Sequence, residues 1–286
     1  MTIKTIKLLN QINQDFYQKV VLSFSNTRQA PWQGWEKLIK YLLINNIFNP
    51  SSTDRQPTII DLACGNGRFY HFLKENFPDT NFTYLGIDSN QKLLDLAQAS
   101  IQNTKYPPAS ARAKQLQAGK TQNNQSLEFR NSNLEFVNLD IISHLLNNKE
   151  LNFPPANLIV VFGLMHHLPS YDLRLKLIKS LAQKLNQQGI LAVSLWRFAE
   201  IERLRKKILP FEKIRQLYPQ LEIDDLEKND FFLGWQDQKV ARYCHHFNQT
   251  EIKTITDQVP LKLVAKYQAD GKEGRVNQYI IWQKTS

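Results

Sequence analysis

The sequence predicts a doubly wound α/β fold, a mostly parallel sheet with helices on both faces. Three observations carry that expectation. In "PTIIDLACGNGRFYHFLKENF" (57–77) an apolar strand runs through a glycine turn into a helix. Strands and helices then alternate as far as Trp196, the pattern that builds a parallel sheet. "ANLIVVFGLMHHL" (156–168) contains an unbroken apolar run, the mark of a strand buried on both faces.

The elements follow in order. Residues 1–55 read as a helical extension, and 57–77 as first strand, turn and helix. "FTYLGIDSN" (82–90) is a second strand ending in an acid, and "QKLLDLAQASIQ" (91–102) is the helix after it. Residues 102–126 are rich in Gln, Asn, Ala and Lys, carry Pro107 and Pro108, and have too little apolar content to pack. They read as a flexible insertion. "LEFVNLDI" (134–141) is the third strand and 156–168 the fourth. "SYDLRLKLIKSLAQKLNQQG" (170–189) is an amphipathic helix, with Gly189 expected as its C-cap. "ILAVSLW" (190–196) is the fifth strand. Residues 197–250 read as mostly helical, a cap inserted after that strand. In "FAEIERLRKKILPF", Phe198, Ile201, Leu204, Ile208 and Phe211 recur at helical spacing, opposite a face with Arg203, Lys206 and Lys207. "LKLVAKYQAD" and "NQYIIWQK" close the chain as a hairpin at the sheet edge.

Composition narrows the function classes. No apolar run is long enough for a bilayer, and the N-terminus lacks a signal-peptide pattern. Cys64 and Cys244 cannot build a disulfide framework or a four-ligand zinc site, so a reduced cytoplasm is expected. The net charge is +10, with a pI near 9.5. The bases concentrate: Lys105, Arg112, Lys114 and Lys120 stand without an acid in 102–126, and seven bases face three acids in 197–215. That excess suits a polyanionic partner such as nucleic acid, or equally a solvated face.

"DLACGNGRF" is the most informative motif. Gly65 and Gly67 let backbone pass close to a ligand at the carboxyl end of the first strand. A dinucleotide fingerprint would need glycine where Tyr70 stands, so pyrophosphate is disfavoured. Asp61 begins a D-x-x-x-G-x-G pattern that suits an ammonium group. Asp88, one βα unit later, stands where an acid accepts hydrogen bonds from ribose hydroxyls. Asp140, ending the third strand, is expected near an adenine amino group. Ammonium at one end and adenosine at the other describe S-adenosylmethionine.

With these residues in place the chain resembles class I S-adenosylmethionine-dependent methyltransferases, over roughly 60–200. Within them it resembles the tRNA wobble-uridine methyltransferases that esterify 5-carboxymethyluridine, a group with a yeast enzyme and a domain of the eighth human AlkB homologue. That narrower match rests on "FSNTRQAPW", "ACGNGRF", "MHHLPSYDLR", "SLWRF" and "RYCHHF". The resemblance implies a methyltransferase domain over 56–286. Ser25, Thr27, Arg28 and Trp32 match an F-S-x-T-R-x-x-x-W signature that folds over the cofactor and substrate side. Arg242, Tyr243, His245 and Phe247 match R-Y-Y-H-x-F, with Cys244 in place of an aromatic. His166 and His167 fall in the fourth-strand motif, where His166 would face the transferred methyl. The implied acceptor residues are therefore His166, Arg28, Arg242, Tyr243 and His245, the implied partner tRNA, and a small zinc-binding activator serves the family's eukaryotic members. No metal is expected, because neither histidine pair is followed by a carboxylate or Cys at ligand spacing. A small-molecule O- or N-methyltransferase and a non-catalytic RNA-binding protein are the other readings.

Overall fold

Alternation of β-branched, apolar strands with amphipathic helices produces the expected sheet in the computed structural model, which describes residues 1–28, 30–48, 56–102, 133–235 and 238–285. The strands are β1 (Thr58–Leu62), β2 (Thr83–Asp88), β3 (Leu134–Asn138), β4 (Ala156–Val161), β5 (Leu185–Trp196), β6 (Asp230–Trp235), β7 (Gln238–His245), β8 (Lys262–Ala269) and β9 (Asn277–Gln283). The helices are α1 (Ile3–Asn26), α2 (Gln33–Ile44), α3 (Arg68–Asn76), α4 (Gln91–Gln102), α5 (Ile141–Leu146), α6 (Tyr171–Gln183), α7 (Glu202–Arg205), α8 (Phe211–Leu217) and α9 (Gln249–Gln258). Seven strands form one sheet in the order β3-β2-β1-β4-β5-β9-β8, while β6 and β7 pair separately. The sheet is parallel from β3 to β5, and β9 runs antiparallel to both neighbours. The order reverses between β1 and β4, so a crevice opens at the strands' carboxyl ends.

Both faces of the sheet are covered, and each cover fixes part of the crevice. On one side Ile60, Leu62, Ile159, Val161, Leu191 and Trp282 pack against Leu177, Ile178 and Leu181 of α6. On the other, Ile59, Leu158, Val160 and Ile281 pack against α3 and against Trp35, Leu38 and Leu42 of α2. Burying one such side chain contributes roughly 1.5–3 kcal/mol. The N-terminal region thus belongs to the core. Leu9 and Ile12 of α1 bury against Phe232 and Tyr243 of the β6–β7 pair, which lays α1 across the crevice.

Three sequence expectations change. Gly189 does not cap α6, which ends at Gln183 with Lys184 as its cap. Gly189 lies inside β5, where the β4–β5 register shifts. A Cβ there would come within 3.0 Å of the Ala156 carbonyl oxygen and closer to that of Asn186, so the glycine serves close backbone approach. The cap over 197–250 is not mostly helical, because β6 and β7 lie within it. Its helical stripe breaks after α7: Ile208 bridges to Leu233 as extended chain, and Phe211 stays 36% exposed. The expected flexible insertion lies, beyond Gln102, outside the described residues.

Candidate active site at the carboxyl ends of the strands

A cavity of about 380 Å³ fills the crevice, within the range of small-molecule sites. Its floor is the loop after β1. Ala63, Gly65 and Gly67 all have positive φ, at 66°, 56° and 78°. Gly67 N–H closes the turn on Cys64 O at 3.1 Å, and Gly65 N–H donates to Asp88 Oδ2 at 3.0 Å. A Cβ on Gly65 would meet nothing within 4 Å, so the loop leaves that room to a ligand.

Acids line one end of the cavity. Asp61 is buried, accepts the Tyr84 hydroxyl, and has no cation within ion-pair distance among the described residues. Burial above all, with Asp88 nearby, pushes its carboxyl up to about 7, against the Tyr84 hydrogen bond. Burial likewise raises Asp88, opposed by N–H groups of Asn90 and Gly65. Asp140 also lines the cavity, but its carboxylate is fully engaged. Oδ1 accepts from Ile142 N and Ser143 N, capping α5, and Oδ2 accepts from Asn10, Gln14 and the Ser143 hydroxyl. A carboxylate offers about four lone-pair sites. Asp140 therefore anchors α1, and an adenine amino group would have to displace a donor to reach it.

The N-terminal segment and the start of α3 give the cavity a basic and aromatic lining. Phe24, Arg28, Trp32, Trp35 and Arg68 line it. The Arg28 guanidinium lies 4.2 Å from the Phe24 ring centre and 5.3 Å from that of Trp235. Asn66 Nδ2 ties the "FSNTR" segment down by donating to Ser25 Oγ at 3.0 Å and to Arg28 O at 3.3 Å. Arg68 spans Trp32 and Trp35 and donates to Ala30 O at 2.9 Å. Burial first, then Arg28, brings the Arg68 guanidinium down to about 10. Burial first and Arg242 second lower Arg28. Both keep their charge at neutral pH.

The remaining expected acceptor residues separate. His166 is 8% exposed, packs 4.8 Å from the Trp196 ring, and is not among the cavity's lining residues. His167 lines it instead. The pair sits in a 3-10 turn, Met165–His167, with ring centres 4.1 Å apart, and of the two only His167 reaches the cavity lining. Arg242 stands behind Tyr17, donating Nη1–H to its hydroxyl at 3.1 Å. Its guanidinium packs among Trp196, Phe16 and Trp235, at 5.2, 5.3 and 5.8 Å.

Tyr243 and His245 point the other way, because β7 alternates. Cross-strand from them on β6 is Asp230, whose Oδ1 takes the Tyr243 hydroxyl at 2.8 Å and His245 Nδ1 at 2.7 Å. His245 Nε2 reaches Glu251 at 2.7 Å, and Arg174 pairs with Glu251 and Glu227. Those two residues hold the cap together away from the cavity; neither faces an acceptor there. Cys244 does approach His166 and His167, with ligand atoms within 4.8 Å. Burial pushes its thiol up to about 12, and both His167 nitrogens already have partners. The sequence spacing hid that proximity, but the trio is packed as protonated thiol and neutral rings.

Several lining residues escaped the sequence reading. Asn10, Asn13, Gln14 and Tyr17 recur at i, i+3, i+4 and i+7 on α1 and all line the cavity. That polar stripe beside a buried apolar one was a readable signal. Arg68 was another: a base in the first turn of α3 opposes the helix dipole and needs a reason to stand there.

The family comparison bears on this geometry. A model of the methyltransferase domain matches residues 28–266, most of the chain. The chain belongs to this methyltransferase family. Its architecture recurs in solved structures, here at 13–17% identity. A methyltransferase from Methanosarcina mazei has a TM-score of 0.53 at 17% identity, covering 85% of this chain and 97% of its own. One from Clostridium acetobutylicum has 0.55 at 14%, covering 95% and 97%. Magnesium protoporphyrin IX methyltransferase from Synechocystis, with bound S-adenosylhomocysteine, has 0.56 at 13%, covering 96% and 99%. Comparison with curated proteins finds no match. Among the described residues no helix is long and apolar enough to cross a membrane.

The methyltransferase uses S-adenosylmethionine, and the residues present fit it. A buried and a half-buried carboxylate with no ion-paired cation among the described residues, a glycine loop with open space, and a crevice at the topological switch point suit its ammonium, ribose and adenosine. Asp61 would take the ammonium and Asp88 the ribose hydroxyls. Because Asp61 is held near 7, its ionised form appears only as pH rises through that value. S-adenosylhomocysteine should therefore bind more weakly below neutrality, losing up to about tenfold per pH unit. Calorimetry against pH checks this, and Asp61→Asn should bind weakly with the dependence flattened.

Proposed function

We propose that the methyltransferase esterifies a carboxylate carried by a tRNA nucleoside, the carboxymethyl group of a wobble uridine. One observation carries the reading. Arg28 and Arg68 line the site, Arg242 stands behind Tyr17 near enough to lower Arg28, and none of the three has a carboxylate within ion-pair distance among the described residues. Three unneutralised guanidiniums against aromatic faces favour an acceptor that brings negative charge.

The bases on offer agree. Bound S-adenosylmethionine supplies a methyl group already activated on sulfonium, so an ionised acceptor needs mainly alignment. An amine or hydroxyl acceptor would have to lose a proton. His167 is a poor recipient: its nitrogens are engaged by Tyr17 and Tyr243, and burial with Arg242 holds it near 3. Arg28 and Arg68 would orient the carboxylate, and Phe24, Trp32 and Trp235 offer planes for an unstacked base.

The cap supports an extended polyanion more modestly than its composition suggests. Arg203 is paired with Glu273 and Lys206 with Glu202. Arg205, Lys207, Lys213 and Arg215 are exposed and carry no ion pair among the described residues. A small-molecule carboxylate remains the second reading, since a porphyrin methyltransferase shares the fold.

The experiment is methyl transfer to an anticodon stem-loop carrying 5-carboxymethyluridine, beside the same stem-loop with uridine. Ester formation on the first alone is expected, weakening with salt. Replacing Arg205, Lys207, Lys213 and Arg215 by Gln should flatten that salt dependence. Salt-independent turnover, or none, would move the assignment to a small acceptor.

A further inference from the structure

We propose that Tyr17, midway along α1, is a positioning residue for the acceptor, holding Arg242 through a hydrogen-bond chain whose direction is fixed. The proposal rests on the anionic-acceptor reading above, and its structural half can be tested without it.

The chemistry of the partners sets every proton. A guanidinium only donates, so at 3.1 Å the Tyr17 oxygen accepts from Arg242 Nη1. The phenol proton then goes to His167 Nε2, 2.7 Å away, which must be bare. His167 Nδ1 lies 3.0 Å from the Tyr243 carbonyl oxygen, which only accepts, so Nδ1 carries the ring proton. Asn13 Nδ2, itself a donor 3.3 Å from Nδ1, finds no lone pair there. Asn13 is held through Oδ1, which accepts the Tyr243 N–H at 2.8 Å. The chain thus starts and ends on consecutive residues of β7, passing through α1 and the turn after β4.

Burial makes the arrangement matter. Arg242 and His167 are each 6% exposed. Arg242 has no acid partner among the described residues, and its Nε finds no acceptor. Its place is set by three aromatic faces and the Tyr17 hydroxyl. Aromatic faces resist sliding weakly, whereas the hydroxyl fixes the direction in which Nη1 points. Tyr17 lines the cavity, with Arg242 directly behind it. Where the Arg242 charge stands relative to an acceptor anion, beside Arg28 and Arg68, therefore depends on that one oxygen.

Tyr17→Phe keeps the ring, which packs edge-on to Phe16, Phe24 and His167, and removes only the hydroxyl. Three readouts are taken on the full-length protein. S-adenosylhomocysteine affinity should stay near wild type, showing that α1 still covers the site. The imidazole ¹⁵N spectrum of His167 should show protonated Nδ1 and bare Nε2 in wild type, with the Nε2 signal moving in the variant. KM for the 5-carboxymethyluridine stem-loop should rise about tenfold with kcat nearly unchanged, as for a lost hydrogen bond to a charged group. An unmoved Nε2 signal, or a KM equal to wild type, overturns the proposal. If wild type leaves the stem-loop unmethylated, the functional reading falls, and the chain then stands or falls on the ¹⁵N signal alone.

Discussion

Gly67→Val is expected to abolish S-adenosylmethionine binding. Gly67 holds φ at 78° and caps α3, so any side chain there is strained by roughly 1–2 kcal/mol. The first added carbon would sit 3.0 Å from Ala97 Cβ on α4, and valine's branches would meet it harder. Relief requires the loop to lift, and Gly65 N–H then leaves Asp88. Asp88 then loses its setting, while Asp61 keeps the Tyr84 hydroxyl. Gly65→Ala separates ligand space from packing, because no protein atom lies within 4 Å of its added carbon. It should fold, losing only the roughly 1–2 kcal/mol of strain that its own left-handed φ of 56° imposes on a side chain, and bind S-adenosylhomocysteine roughly tenfold more weakly, about 1.4 kcal/mol. Calorimetry on both variants, beside their thermal unfolding, checks the pair. Wild-type affinity in a folded Gly67→Val protein would remove the loop from the cofactor site.

Arg28→Ala is expected to lower kcat/KM for the acceptor by about a hundredfold, the scale of a lost hydrogen bond to a charged group. S-adenosylhomocysteine affinity should hold near wild type. Arg28 lines the cavity, forms no hydrogen bond or ion pair with Asp61 or Asp88, and among the described residues its side chain donates only to Thr27 Oγ1 within its own segment. Its guanidinium rests on Phe24 and Trp235, so removal leaves the neighbouring rings in place. Arg28→Lys should recover little, since a point charge lacks the planar fork that grips a carboxylate. Equal activity in wild type and Arg28→Ala would show that the acceptor does not use this side chain.

The succession of strands and helices and the glycine loop after the first strand were legible because they depend on local pattern. An apolar run, a glycine turn and an acid at the next strand end each act over a few residues, and burial of the sheet follows from them. The acceptor side was harder because it is assembled from distant segments. "RYCHHF" reads as one motif, yet a strand sends Arg242 and Tyr243 to opposite faces, and only Arg242 approaches the cavity. "MHHLP" offers two histidines, and only the packing of the turn shows that His167, not His166, lines the cavity. The two tryptophans of the N-terminal segment serve both the core and the site. Trp35 is a core residue stacked 5.5 Å from Trp32, and Trp32 forms the cavity wall. Gly189 misled because glycine after an amphipathic run usually ends a helix, whereas here a close strand crossing requires it.

Mass spectrometry of tRNA nucleosides from cells lacking this protein tests the central claim most directly. The expected result is loss of the methyl ester at the wobble uridine with accumulation of its free carboxymethyl precursor, restored by wild type and not by Arg28→Ala. Unchanged levels of that ester in the deleted strain would contradict the claim.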